Sequence, residues 1–222
     1  MDRETSPFVG PARGLTRSDA VSPPVLLSFS SRRLAVEALA RGECVIAFDE
    51  ALGSADFLAV AELVTAKTIA FMAIHGRGVI ALALPAARVD ELRLPPMSRG
   101  WGRPNAATVS IEAREGVSTG ISAGDRARTI SVAVDPTCGA DDLVLPGHVF
   151  PLRVEDDESA REPRKPERGD VALALARSAG FGRGAVLCEI LDETGERADA
   201  GYLEKTAARW CITRVTFAEL GF

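Results

Sequence analysis

Apolar and polar positions along this chain follow two periods, and the switches between them mark out short elements. Leu34, Val36, Ala38 and Leu39 suggest a short helix after Ser30 and Ser31, stopped by Gly42. Cys44 to Phe48 (CVIAF) is an apolar run of strand length. Asp49 to Asp56 reads as a loop with carboxylates at both ends, and Phe57 to Val64 as a second strand. Thr65 to Ile74 has helical spacing and ends at His75-Gly76. Val79 to Leu84 is a strand, and Pro85 opens a short helix through Leu92. Leu94 to Ala106, with its prolines, glycines and Trp101, is a long loop.

The densest pattern runs from Ala107 to Thr129. Val109 and Ile111 alternate with Ser110 and Glu112, which predicts a half-buried strand over Thr108 to Ala113. Ser122 is a helix N-cap candidate, and Asp125, three residues on, can bond back to it as in a capping box. Between strand and helix lie Gly116, Ser118, Thr119, Gly120 and Ser122. Such a turn is either an ordinary capped connection or a cradle of N–H and hydroxyl groups for an anion. The helix continues through Val134 and ends near Asp135-Pro136. Leu145 to Arg153 is a short apolar segment introduced by a Pro-Gly turn. Glu155 to Glu167 is almost wholly charged and reads as a mobile surface loop. Asp170 can cap a helix over Val171 to Ser178, ended by Gly180. Ala185 to Leu191 is a strand, Tyr202 to Arg209 a helix, Cys211 to Val215 a strand, and Thr216 to Leu220 a last helical turn. Strands alternating with helices imply a layered α/β or α+β domain. Residues 1 to 25 are polar and carry Pro7, Pro11, Pro23 and Pro24, a flexible tail before one domain spanning 26 to 222.

Composition narrows this picture. An apolar content of 46% over 222 residues supports a sizeable core, built mainly of aliphatic residues because aromatics are only 5%. A net charge of −5 argues against a nucleic-acid partner held by phosphate neutralisation. No apolar run reaches membrane-spanning length and no secretory pattern opens the chain, so a cytoplasmic protein without a membrane partner is expected. Cys44, Cys138, Cys188 and Cys211 are scattered without a CxxC pair, which predicts buried free thiols rather than a zinc or redox motif.

Two histidines, His75 and His148, each lie beside glycines, where either a structural or a site role is open. Asp49, Glu50 and Asp56 share one loop that is either solvated or able to hold a divalent cation. No Walker sequence occurs, and Gly76-Arg77-Gly78 is too short for a dinucleotide fingerprint.

A family resemblance adds what periodicity does not. Glu115 to Ala123, Asp125-Arg126, Thr129, Pro146 to Arg153, His75-Gly76-x-Gly78, and Ala179-Gly180-Phe181 followed by Val186 to Glu189 resemble, in order, the signature of 3,4-dihydroxy-2-butanone-4-phosphate synthase. The resemblance covers about Ala35 to Phe217. It implies an α+β homodimer that converts ribulose 5-phosphate to 3,4-dihydroxy-2-butanone 4-phosphate and formate, with magnesium, for riboflavin synthesis. It also implies His148, Glu189, Asp125 and Asp56 as catalytic groups, and Ser118, Thr119, Ser122, Arg126, Thr129, Lys165 and Arg168 as substrate-binding groups.

The departures from the family pattern share one direction. The family's acidic loop is shortened to Asp49–Asp56 and lacks an Arg-Glu pair whose Glu binds metal. The family's R-G-G-H-T-E becomes Lys165 to Asp170, which puts Arg168 at the position of the second metal ligand, a His. Leu145 stands where an Arg is usual, and Asn105 where a Thr is usual. A guanidinium donates hydrogen bonds and cannot coordinate magnesium. The expectation is therefore a diverged lyase of this type that acts on ribulose 5-phosphate or a related sugar phosphate at a site with no metal and no other cofactor, in which Arg168 supplies cationic charge next to a phosphate or enolate. Two alternatives stand beside it. One is a catalytically inactive homologue that acts as a binding or regulatory partner in flavin synthesis. The other is a conventional synthase that draws its ligands from Asp49, Glu50 and Asp170.

Overall fold

The computed structural model describes residues 27–98, 105–155 and 165–221. The expected tail, Trp101 and most of the charged loop lie outside the described residues. The chain order is α1 (Leu27–Ala40), β1 (Val45–Asp49), β2 (Ser54–Val60), α2 (Ala66–His75), β3 (Arg77–Pro85), α3 (Ala86–Glu91), β4 (Ile111–Ala113), α4 (Ala123–Val134), β5 (Leu143–Val154), α5 (Arg168–Ser178), β6 (Ala185–Ile190), α6 (Ala200–Trp210), β7 (Arg214–Thr216) and α7 (Phe217–Leu220). The strands form one mixed sheet in the order β4-β5-β3-β6-β2-β1-β7.

Helices cover both faces of this sheet, as the α+β expectation requires. One buried cluster joins Ile69 and Met72 of α2, Ile130 of α4 and Leu203 of α6 to Phe57, Ile80 and Val186. The other joins Ala35 of α1, Val171 and Leu175 of α5 and Phe217 of α7 to Leu58, Ala81 and Leu187. Central strands packed on both faces have no polar face to present, which is why CVIAF and FLAV read as continuous apolar runs. Phe57, Ile46, Ile80 and Leu82 are each almost wholly buried. At ~25 cal/mol per Å² of apolar area, burying each such side chain contributes about 1.5–3 kcal/mol before entropy is counted.

Several boundaries differ from the sequence reading. Asp49 and Asp56 do not share a loop. They pair into a tight β1–β2 hairpin, with Asp49 opposite Ser54 and Asp56 opposite Ala47. Asp49 Oδ1 accepts from the N–H groups of Ala51 and Leu52, so its carboxylate closes the turn. The segment read as a short apolar piece belongs to the twelve-residue strand β5, whose Leu145–Pro146 bond is cis. The strand expected over Thr108–Ala113 shrinks to β4, and its polar residues face inward, with Ser110 and Glu112 both buried. Alternation alone does not say which face meets water.

Asp170 does not cap α5. It lies in the first turn and accepts from the N–H of Glu167, the N-cap position. Cys211 ends α6 in the left-handed region at φ 53° instead of opening a strand. The thiols are split, with Cys44 and Cys188 buried, Cys138 half-buried and Cys211 exposed, so burial of all four is not what the fold gives.

Candidate active site

The strand registers bring the sequence's scattered polar residues into one row across the sheet. Asp56 of β2 pairs with Glu189 of β6. The β3 segment between Arg77 and Ile80 bulges opposite Glu189, and Gly78 is the reason it can approach. A Cβ on Gly78 would lie 2.6 Å from the Glu189 carbonyl oxygen, and one on Gly76 would lie 2.7 Å from Cys188 Sγ. This accounts for the glycines of His75-Gly76-x-Gly78 by backbone contact. Across β3, Ala81 pairs with Phe150 of β5, so two residues earlier on each parallel strand lie Val79 and His148. With strands ~4.8 Å apart, two strand steps put His148 roughly 10 Å from Glu189 in backbone terms. Val79 sits on a central strand yet is 57% exposed. It forms an apolar floor between His148 and Glu189 that no helix of the described residues covers.

The helix N-terminus of α5 closes one end of the row. Arg168 Nη1 lies 3.0 Å from Asp56 Oδ1 and 3.9 Å from Glu189 Oε2. Arg197 Nε lies 3.3 Å from Glu189 Oε1, and Lys165 Nζ lies 3.6 Å from Asp49 Oδ1. Burial pushes the Asp56 carboxyl up to about 6, against the opposing pull of the Arg168 guanidinium. Beside this cluster opens a cavity of about 340 Å³, lined by Asp49, Ser54, Asp56, Lys165, Arg168 and Phe217 among others. Its two cations, each paired with an aspartate, stand with the Ser54 hydroxyl and three carboxylates, Asp49, Asp56 and Glu167, a polar lining suited to a small phosphorylated polyol. Among the described residues, no three His, Cys, Asp or Glu side chains converge as a metal cage. Asp49 is engaged by the hairpin turn, and Asp170 accepts from Glu167 and from Asn105 Nδ2.

The turn before α4 is built differently from the capping box expected. Ser122 Oγ does cap the helix, accepting from the Asp125 N–H at 3.0 Å. The Asp125 carboxylate turns outward from the helix and accepts from Ser118 Oγ (2.8 Å) and from the Gly120 N–H (3.0 Å). The hydrogen bond from Ser118 holds this carboxyl below its ordinary range. Asp125 therefore organises the turn and stays ionised, which is poor chemistry for a proton carrier near neutral pH. Thr129 is likewise structural, because its hydroxyl donates to the Asp125 carbonyl and accepts from the Ala113 N–H, at 1% exposure. Thr119 is exposed on the turn, as is Ser118. Arg126 is half-buried with its Nε lacking a hydrogen-bond partner, and desolvation pulls its pKa down.

His148 pairs with Glu112, from the polar face of the strand before the turn. Its Nδ1 lies 2.9 Å from Glu112 Oε2. His75 is packed instead between Phe71 and Trp210, with ring centroids 4.7 and 4.5 Å away, a structural role. Glu112 and Arg197 are the site-lining charges that sequence reasoning missed. The one available signal for Glu112 was a single carboxylate in a short alternating strand just before a Gly/Ser/Thr turn.

The chain is similar to several known proteins. The family model for 3,4-dihydroxy-2-butanone 4-phosphate synthase matches residues 33–221. A 3,4-dihydroxy-2-butanone 4-phosphate synthase of Chromobacterium violaceum is 38% identical over 190 residues, covering 84% of this chain and 89% of that protein. The riboflavin biosynthesis protein RibBA of Salinispora arenicola is 37% identical over 88% of this chain, which spans only 47% of that longer protein. A crystal structure of 3,4-dihydroxy-2-butanone 4-phosphate synthase in complex with two magnesium ions superposes with a TM-score of 0.74 at 31% identity, covering 85% of this chain and 93% of that one.

Proposed function

Because the chain belongs to the 3,4-dihydroxy-2-butanone 4-phosphate synthase family, we propose that it is a lyase of that type, converting ribulose 5-phosphate to 3,4-dihydroxy-2-butanone 4-phosphate and formate. The observation that carries this reading is the row His148, Glu189 and Asp56, whose Asp56 end lines a cavity with Lys165 and Arg168 on its wall. The cations suit the phosphate, and the imidazole and carboxylates suit the proton transfers that an enediolate route requires. A carboxyl poised at about 6, as burial holds Asp56, exchanges protons readily near neutral pH.

One observation favours a second reading, in which the reaction runs without a divalent cation. The Asp56 and Glu189 carboxylates face the Arg168 guanidinium, which occupies them with a charge that cannot itself coordinate a metal. Arg168 would then supply the positive charge that steadies substrate oxygens. A homodimer belongs to the same proposal, supported by the large apolar side chains of Ile74 and Ile121, each more than half exposed. So does a reducing, cytoplasmic setting, supported by four free thiols.

The test is to incubate the purified protein with ribulose 5-phosphate, with magnesium or with a chelator, and to measure formate and the four-carbon product. Magnesium-dependent formate identifies a conventional synthase and removes the Arg168 reading. Chelator-resistant formate establishes that reading. Absence of formate together with thermal stabilisation by the sugar phosphate identifies a binding protein and overturns the proposal.

A further inference from the structure

The Glu112–His148 contact is built with more care than a surface ion pair needs. Three features of the backbone converge to make it. Gly147 lies so close to β4 that a Cβ there would come 2.1 Å from the Ile111 carbonyl oxygen, and its N–H donates to Ser110 Oγ at 3.1 Å. The residue before His148 is thereby fixed against the strand that carries Glu112. Gly120, at φ 82°, passes directly over the Glu112 carboxylate, where a Cβ would stand 1.7 Å from Oε1. The carboxylate is consequently enclosed, with the Glu112 side chain 11% exposed and that of His148 42% exposed. Oε2 faces His148 Nδ1, while Oε1 is buried with no hydrogen-bond partner. A buried, half-satisfied carboxylate is destabilising, and a strand residue with only a packing role would not carry that cost.

We infer that Glu112 is the positioning residue of the site, holding the His148 imidazole with its proton on Nδ1 so that Nε2 is the basic nitrogen. This rests on the synthase-type reading above, in which His148 moves a proton. A carboxylate oxygen accepts, so the ring nitrogen facing it must donate. When Nε2 takes a proton from substrate, the ring becomes imidazolium, and the adjacent Glu112 charge steadies it without accepting the proton itself. The turn that carries Ser118 and Asp125 acquires a use in this arrangement. Asp125 fixes the Gly120 N–H, Gly120 roofs Glu112, and Glu112 sets His148.

The chain has only two histidines, so ring nitrogens can be read by long-range proton–nitrogen NMR on the whole labelled protein, with His75→Asn supplying the assignment. The expected result is a His148 ring protonated at Nδ1 in the parent. In Glu112→Ala the ring shifts toward the Nε2-protonated form that free imidazoles favour. In Glu112→Gln the amide oxygen keeps the tautomer but the charge is gone. On ribulose 5-phosphate, both variants lose about 10- to 100-fold in kcat with KM nearly unchanged. A parent His148 lacking the Nδ1 proton overturns the inference, as does a Glu112→Ala protein with unchanged tautomer and kcat. The NMR arm requires no turnover, so absence of formate production would count against the functional reading alone. Glu112→Gln, close in shape to the parent, retains a folded sample where the alanine variant does not.

Discussion

At the scale of single residues, chemistry here follows the partners a side chain meets more than its residue type. Asp56, Asp125 and Asp49 are all aspartates near one site, yet only Asp56 is buried beside a single guanidinium with its carboxyl raised to about 6. Its folded value exceeds the ordinary 3.8, so the native state binds its proton more tightly than the unfolded chain. That contribution to stability is complete below about pH 4 and is lost as pH rises through about 6, at ~1.4 kcal/mol per unit of difference. Thermal melts from pH 4 to 7 are expected to show this decline in the parent, and Asp56→Asn is expected to remove it. Retention of the same slope in the variant would assign it to another group. Arg168→Ala leaves Asp56 and Glu189 facing each other without the cation between them. Near pH 7 it is expected to lose about 1–3 kcal/mol of stability, read by urea unfolding.

Elements show why some of this was legible beforehand. The helices α2, α3 and α7 and the strands β1, β3 and β6 were readable because caps, prolines and apolar runs are local signals. Thr65 caps α2 and Thr216 caps α7 through the side-chain bonds their positions suggest. The long strand β5 was not legible, because Pro146 and Gly147 interrupt its pattern and only pairing with β4 and β3 defines it. The same holds for Gly78 of β3. Gly78→Ala is expected to push β3 from β6 and destabilise by about 2 kcal/mol, a Tm drop of roughly 4–8 °C. An alanine accommodated without loss would show that the approach to Glu189 is not tight. At the head of α4, Ser122→Ala is expected to cost about 1 kcal/mol through loss of the cap. The expected capping box failed because Ser118 Oγ and the Gly120 N–H, from the preceding turn, compete for the Asp125 carboxylate and win it.

At the scale of the whole molecule, the sheet is the device that makes a site. Its order places β5 and β6 on either side of β3, so residues far apart in sequence become neighbours across two strand spacings. Helices α1, α5 and α7 cover that face, but Val79 remains open between His148 and Glu189. A ligand there binds only the folded chain, so ribulose 5-phosphate at about 100 times its Kd is expected to add ~2.7 kcal/mol. Differential scanning fluorimetry reads this as a concentration-dependent rise in Tm, and a flat response would count against a sugar-phosphate site.

The sequence by itself determined the layered class, most helices, the apolar central strands and, through its ordered motifs, the family. These are properties of neighbouring residues, fixed by propensity, capping and period. The tertiary structure alone decided that Arg168 meets Asp56 and Glu189, that Asp125 and Thr129 serve the turn, and that Glu112 faces His148 instead of water. Each of these depends on strand register and on which face of the sheet is covered. Register is an agreement between distant segments, and no local pattern encodes it.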